Sequence, residues 1–169
     1  MVFFCIEKVH IMTLIKILLM LVVLIVGSFC YTVYRNDANL FDDPGFNARL
    51  SIYLGGNRAE TAEDHVLKEL RTPVFNTSAE QLYKRTILAA SSLGWQVASH
   101  DSDNQNAHFV VYSPIFLFKD DVYVQVGFID MNKSTLSVKS VSQVGRADLG
   151  ANAGHIRELV NELKRKRVQ

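Results

Sequence analysis

The residues with the most evident chemical potential lie in two short segments of the second half of the chain. One contains Lys119, Asp120 and Asp121, and the other contains Ser140 and Ser142. A pair of carboxylates suits acid–base catalysis, and a serine beside a base suits nucleophilic catalysis. Neighbouring residues of a strand point to opposite faces, so the two aspartates do not readily share one substrate.

Histidine supplies the remaining candidates for a catalytic base. His155, in the predicted last helix, is the one base that we expect near the two serines. His65, His100 and His108 lack the spacing of metal ligands, and both cysteines precede residue 36. We therefore expect no metal, no cofactor and no enzymatic activity, and we keep a hydrolase as the least favoured alternative.

A hairpin is expected to position the acidic and serine segments. Apolar residues alternate from Val122 to Phe128, which is typical of a strand with one buried face. A polar loop then leads into a returning strand at 135–144. In the expected register Val122 faces Ser142, and Asp120 lies on the same inward face as the valines.

One end of this buried face is therefore polar. A buried polar group without a partner costs about 1–3 kcal/mol. The sequence predicts either a hydrogen-bonded internal network or a small polar pocket at this end, and we favour the network. The residues expected there are Lys119, Asp120, Asp121, Ser140, Ser142, Arg146, Asp148, Asn152 and His155.

Particular partners are expected within that network. The acidic pair would bind Arg146 or Lys119. Asp148 would cap the last helix, and Asn152 would tie back the preceding loop through its side chain.

The other elements complete an α+β fold. Ser78 and Gln81 form a capping box that begins a helix, and Gly94 is typical of its end. A short helix is also expected at 47–54, and the last helix begins near Asp148. Short strands are predicted at 74–76, 95–100, 107–112 and 115–118. The order predicts an antiparallel sheet of about four to five strands with helices on one face, in a reduced helix-grip-like arrangement.

Residues 1–35 are predicted to form a transmembrane anchor or signal segment. The apolar run from Leu14 to Tyr34 is long enough to cross a hydrocarbon core of ~30 Å. Residues 36–56 are predicted to be a linker, and residues 57–169 a globular α+β domain.

Two alternatives to an uncleaved anchor remain open. The small residues that end at Ser28 would permit cleavage as a signal peptide. A lipoprotein needs a small residue before its cysteine, and Phe29 precedes Cys30. We favour the uncleaved anchor.

The charges that flank the apolar run predict its orientation. Lys8 and Lys16 lie at its N-terminal side, and three aspartates follow within residues 37–43. This bias favours a single-pass protein of the inner (cytoplasmic) membrane, with its domain on the periplasmic or outer side. The net charge of +1 gives no indication of a nucleic-acid partner.

Five segments of the chain match the pattern of a known family: NRAET (57–61), ELR (69–71), LGW (93–95), FKDDV (118–122) and SVSQVGRADLGAN (140–152). Together they resemble a bacterial family of unknown function, DUF1499. The resemblance covers nearly the whole chain after residue 35, and it implies an envelope or membrane-associated protein without an assigned activity. This chain has Lys139, Gln143 and His155 where the family usually has arginine. An anion-binding cluster formed by those arginines would be weakened here, with Arg146 retained.

Two binding functions fit these expectations. The favoured one is a membrane-tethered domain that binds or scaffolds an envelope protein without catalysis. The alternative is a carrier of a lipid or another small apolar ligand, in a cavity between the sheet and the last helix. The residues expected to line that cavity are Phe109, Val124, Val126, Phe128, Ile156 and Val160.

Overall fold

The computed structural model describes residues 2–112 and 118–165, with side chains from residue 10 onward. The helices are α1 (Val2–Arg35), α2 (Phe46–Leu54), α3 (Ala79–Ser92) and α4 (Ala151–Arg165), with a single 3-10 turn at Lys68–Leu70. The strands are β1 (Arg58–Glu60), β2 (Val74–Phe75), β3 (Gln96–Asp101), β4 (Asn106–Tyr112), β5 (Lys119–Asp130) and β6 (Lys133–Ser142).

The N-terminal helix α1 contains a 26-residue segment, His10–Arg35, with a mean hydropathy of 2.6 and no buried residue in its most apolar part. A helix of that length spans roughly 39 Å, which exceeds the hydrocarbon core of a bilayer. The segment is therefore long and apolar enough to cross a membrane as a single pass, a property that a signal sequence shares.

The end of α1 turns directly into the folded body. Asp37 adopts a left-handed conformation (φ 48°), and the Ala38 amide donates to the Val33 carbonyl at 3.1 Å while the Asp37 amide donates to Tyr34. This pair of bonds is a Schellman motif, which satisfies the last carbonyls of a helix. Ala38 is buried, so no free spacer separates α1 from the domain.

The segment predicted as a linker belongs to that domain. Ala38, Leu40, Arg49 and Tyr53 are all buried. Helix α2 forms at the predicted place, and its inward side contributes two of these residues. The folded body thus begins about twenty residues before the predicted boundary at residue 57.

The sheet is antiparallel, with the order β1-β6-β5-β4-β3 and with β2 pairing beside β1 on β6. The six strands exceed the four to five expected, because the three-residue β1 at Arg58–Glu60 carries no alternating apolar pattern. Most of the strand predicted at 115–118 lies outside the described residues, and Phe118 itself is not in a strand.

The predicted register of the β5–β6 hairpin was wrong by two residues. Val122 faces Ser140, and Asp120 faces Ser142. The cause is a tighter turn, since Asp130 pairs directly with Lys133 and the ladder is irregular between Phe128 and Asp130. A shift of two residues leaves every side chain on its predicted face, so the inward set is unchanged.

The core lies between one face of the sheet and helices α3 and α4. On β5 the inward residues Asp120, Val122, Val124 and Val126 are buried. Phe128 was expected to continue this set but is 68% exposed, because it lies at the irregular end of the ladder. The helices cover one face of an antiparallel sheet, which confirms the predicted helix-grip-like α+β fold.

Candidate functional site

Asn152, in the first turn of α4, is the centre of the predicted polar network. Its Oδ1 accepts from the Ser140 hydroxyl at 2.6 Å, and its Nδ2 lies 2.9 Å from the Ser142 Oγ. The same Nδ2 reaches the Asn57 carbonyl at 2.8 Å and the Asp148 Oδ2 at 2.6 Å. Asn152 and Ser140 are fully buried, so one amide satisfies polar groups from three elements.

Asp148 caps α4 from a position three residues before the helix begins. Its carboxylate accepts from the backbone amides of Gly150 and Asn152, each at 3.0 Å. The helix starts at Ala151 and not near Asp148 because Leu149 (φ 50°) and Gly150 (φ 85°) are left-handed. The capping role that we predicted is therefore present, with a tight turn between the cap and the helix.

The side chains of Asp120 and His155 lie within ion-pair distance of each other on the inner face of the sheet. The His155 Nε2 lies 2.9 Å from the Asp120 Oδ2, and the aspartate is 5% exposed. The His155 ring also meets Trp95 edge-on, with centroids 6.0 Å apart. Asp120 therefore has a histidine partner where Arg146 or Lys119 was expected.

Asp121 meets a different histidine on the outer face. Its Oδ1 lies 2.8 Å from the His108 Nε2, and its Oδ2 accepts from the Gln143 amide at 2.9 Å. The His108 ring stacks on Tyr123 at 4.4 Å. The two adjacent carboxylates thus point to opposite faces, and they cannot act together on one bound molecule.

The two basic residues expected at this site do not join it. Lys119 is exposed, and its Nζ lies 5.7 Å from the centre of the Tyr112 ring. Arg146 is exposed in the turn after β6, and no ion pair involves it within the described part of the chain. Lys139 and Gln143 lie away from the inner face that holds His155, so these three positions form no common anion site.

The geometry does not bring Ser140 or Ser142 to His155. The Ser140 hydroxyl donates to Asn152, and the Ser142 hydroxyl also contacts Asn152. His155 makes its polar contact with Asp120. Ser140 and Ser142 are therefore paired with Asn152, and His155 is paired with Asp120, so these polar groups satisfy one another.

A buried arginine that the sequence did not predict as a site residue lies between α2 and the 3-10 turn. The Arg49 guanidinium binds both oxygens of Glu69, at 2.6 and 3.2 Å, and also the Tyr53 hydroxyl. Its remaining donors reach the carbonyls of Asp42 and Asp43, so all of its donors are used. Burial alone would raise the pKa of Glu69, but the hydrogen bonds from Arg49 and from the Glu69 backbone, together with the charges of Arg49 and Arg157, outweigh burial and lower that pKa.

A second buried arginine connects α4 to the end of α1. The Arg157 Nη2 donates to the Asn36 carbonyl at 2.6 Å, and its Nη1 lies 3.7 Å from the Glu69 Oε1. In return, the Asn36 side chain donates to the carbonyls of Asp148 and Leu149. A cation at the C-terminus of a helix complements the helix dipole.

Only a weak signal pointed to this pair of arginines. Glu69 lies in the ELR segment that resembles the family, but Arg49 and Arg157 lie in no recognisable motif. Their partners lie 20 and 121 residues away along the chain. Short-range spacing therefore carries no information about these contacts.

A pocket of about 350 Å³ opens beside β1. We name it the β1 pocket. Arg58 and Glu60 project from the side of β1 that also carries Lys139 on β6, and both are exposed. Neither side chain has a hydrogen bond or ion pair in the described part of the chain. Residues that line the β1 pocket include Ile52, Tyr53, Arg58, Glu60, Thr61, His65, Leu70, Asp148 and Ala153.

The apolar residues expected to line a ligand cavity fill the core. Phe109 and Ile156 are 0% exposed, Val124 is 3% exposed, and Val126 and Val160 are also buried. These five residues belong to one continuous hydrophobic cluster.

The comparison with family models identifies the family. A family model described as "Protein of unknown function (DUF1499)" matches residues 44–163. Among solved structures, a START superfamily protein from Mycobacterium smegmatis is similar, with 14% sequence identity and a TM-score of 0.36. That match covers 67% of this chain and 97% of the other. No curated protein matches the chain.

The family match extends from the turn before α2 to the last turns of α4. It includes the Asn152 network, both aspartate–histidine pairs, the buried arginines and the β1 pocket. On this match over most of its length, the chain belongs to the DUF1499 family.

Proposed function

We propose that this protein is a single-pass membrane protein whose domain binds a component of the cell envelope without converting it chemically. The observation that carries the proposal is the β1 pocket, which is bordered by two exposed side chains of opposite charge, Arg58 and Glu60. A volume of about 350 Å³ lies within the usual size range of ligand sites.

The chemistry of the β1 pocket favours a polar or zwitterionic group. Arg58 and Glu60 are two residues apart on one strand, so their side chains point the same way. A guanidinium beside a carboxylate matches a group that carries both charges, such as a peptide segment or a zwitterionic headgroup. The apolar side of the pocket, formed by Ile52 and Leu70, would contact a short hydrophobic portion of the same ligand.

In this proposal Asp120 and His155 stabilise the fold and have no catalytic role. The support is that Asn152 already holds the hydroxyl groups of Ser140 and Ser142. A serine nucleophile needs its base within hydrogen-bonding reach, and His155 instead contacts Asp120.

The proposal places α1 in the inner membrane as an uncleaved anchor, with the domain on the periplasmic side. The charge bias around the apolar run supports that orientation. Protease treatment of intact spheroplasts should remove the domain, and the mass of the full-length protein should include residues before Ser28. A domain protected from protease, or a chain that begins after Ser28, would contradict this part.

Native mass spectrometry of the full-length protein, extracted gently from its own membranes, tests the binding function. The wild type should retain a bound molecule or peptide. The double reversal Arg58→Glu with Glu60→Lys should lose it while the net charge stays constant. The matched control is Glu80→Lys with Lys84→Glu, which reverses an exposed ion pair on α3. Equal occupancy in all three proteins would overturn the assignment of the β1 pocket.

A further inference from the structure

The short helix α2 has an unusual distribution of side chains. Its inward side carries the buried Arg49 and Tyr53. Its outward side carries Phe46 and Leu54, which are 40% and 49% exposed, with the half-buried Leu50 between them. These three apolar residues recur every four positions and therefore form one stripe on the helix surface.

An exposed aromatic residue extends this stripe. Phe41 is 87% exposed, and its ring stacks on Phe46 with centroids 5.6 Å apart and an interplanar angle of 22°. We name the set of Phe41, Phe46, Leu50 and Leu54 the α2 patch. Contiguous exposed apolar surface of this kind marks a site of protein or membrane contact.

The α2 patch belongs to an element that is closely connected to the end of the anchor. The Asn36 carbonyl binds Arg157, Arg157 lies 3.7 Å from Glu69, and Glu69 binds Arg49 on the inward side of α2. Phe41 follows Tyr34 by seven residues, so the two lie at most about 24 Å apart. Tyr34 is 81% exposed at the end of the apolar run, where aromatic residues typically sit at the membrane interface.

We propose that the α2 patch inserts its aromatic and leucine side chains into the interface of the same bilayer that α1 spans. The proposal rests on the proposed membrane anchor. A short helix with apolar residues on one side lies in the plane of the interface and buries that side among the headgroups and upper acyl chains. Together with the Schellman turn after α1, this contact fixes how the domain faces the membrane.

The contact is apolar and does not depend on anionic lipid. Asp42 and Asp43 lie within the segment that carries the patch, and the nearby Lys68 is paired with Asp43 at 3.0 Å. A polybasic attraction to acidic headgroups is therefore absent from this described segment. Insertion should be the same in neutral and anionic vesicles.

Tryptophan scanning of the full-length chain in phosphatidylcholine vesicles tests the proposal. Phe41→Trp and Phe46→Trp are compared with Phe128→Trp. Phe128 is 68% exposed and lies at the turn end of the β5–β6 ladder. The emission of the native Trp95 is measured in the wild type and subtracted. Circular dichroism confirms that each variant is folded.

In vesicles the emission of both α2-patch tryptophans should shift to the blue because the rings leave water. Lipids brominated near the headgroup end of the acyl chain should quench both of them and leave the Phe128→Trp emission unchanged. Flotation of the vesicles reports membrane anchoring separately. A chain that fails to float would contradict the anchor and this inference together. A chain that floats with both α2-patch tryptophans unquenched and exposed to water would overturn the inference alone. Buried but unquenched tryptophans would also overturn it, and they would assign the patch to contact with a second copy of the chain, because the vesicles contain no other protein.

Discussion

The Nε2 atom of His155 lies 2.9 Å from the Oδ2 atom of Asp120, on the face of the sheet that α4 covers. The next residue, Asp121, makes the corresponding contact with His108 on the outer face. The two pairs have the same chemistry but differ in burial, since the side chain of Asp120 is 7% exposed and that of Asp121 is 19% exposed. This difference allows one pair to serve as the control for the other.

Removing the inner histidine should destabilise the protein more than removing the outer one. His155→Ala leaves the buried Asp120 without a partner, at a cost of about 1–3 kcal/mol in the free energy of unfolding. His108→Ala should cost less, because Asp121 retains Gln143 and contacts solvent. Chemical unfolding of the detergent-solubilised chain measures both. A larger loss for His108→Ala would contradict the structural role assigned to the inner pair.

The Asn152 network should behave as a single unit. Asn152→Ala removes the partner of Ser140 and Ser142 and should cost more than about 2 kcal/mol. Adding Ser140→Ala to that variant should cost less than the same substitution alone, because the hydroxyl has already lost its acceptor. A double-mutant cycle from urea unfolding gives the coupling energy. Strictly additive losses would show that the two side chains act independently.

The ion pair between Arg49 and Glu69 should make stability depend on pH in the acid range. Burial opposes ionisation of Glu69, but the hydrogen bonds from Arg49 and from the Glu69 backbone, with the charges of Arg49 and Arg157, together outweigh burial. The pKa of the folded state therefore lies below the usual glutamate value. A lowered pKa stabilises the fold above the unfolded value of about 4.3, and this contribution is lost as the pH falls through the folded value.

Glu69→Gln should therefore be less stable than the wild type at neutral pH, and the difference should shrink as the pH is lowered below about 4.3. Thermal unfolding across that range measures it. The exposed Glu63 offers a control, and Glu63→Gln should follow the wild-type curve. A Glu69→Gln deficit that stays constant with pH would contradict the assigned ion pair.

Arg157 should hold the end of the anchor against the domain. Arg157→Met removes the bond to the Asn36 carbonyl and should speed hydrogen exchange at the amides of Asp37 and Ala38. Arg85→Met is the matched control, since Arg85 donates to the Leu163 carbonyl at the other end of α4. Equal exchange in both variants would show that Arg157 does not hold the turn.

The sequence predicted which residues face inward more reliably than which residues meet. Strand parity has a period of two, so it correctly placed Asp120 with the valines even though the turn was tighter than expected. The capping role of Asp148 and the bond from the Asn152 side chain back to Asp148 are local contacts, and both were found as predicted. Partner identity was not local, and the expected pairing of the aspartates with Arg146 or Lys119 was wrong.

The contacts that sequence reasoning missed share a physical cause. Arg49 lies in a stretch that reads as polar linker, and its burial depends on Glu69, which comes from a separate turn. Nothing in the spacing around an arginine shows that a distant carboxylate will compensate its charge. The three-residue strand β1 was missed for a similar reason, because its pairing with β6 comes from tertiary contact and not from its own pattern.

The Schellman turn that joins α1 to the domain limits how far the domain can rotate relative to α1. A flexible linker would let the domain take many orientations relative to the helix. A hydrogen-bonded helix end that leads directly into buried residues permits little rotation. With α1 in a membrane as proposed, the β1 pocket would stay at a constant height and orientation above the lipid surface. The proposed envelope partner, if it lies in the same membrane, would reach the pocket by diffusion in two dimensions, and the rigid turn would reduce the orientational cost of association.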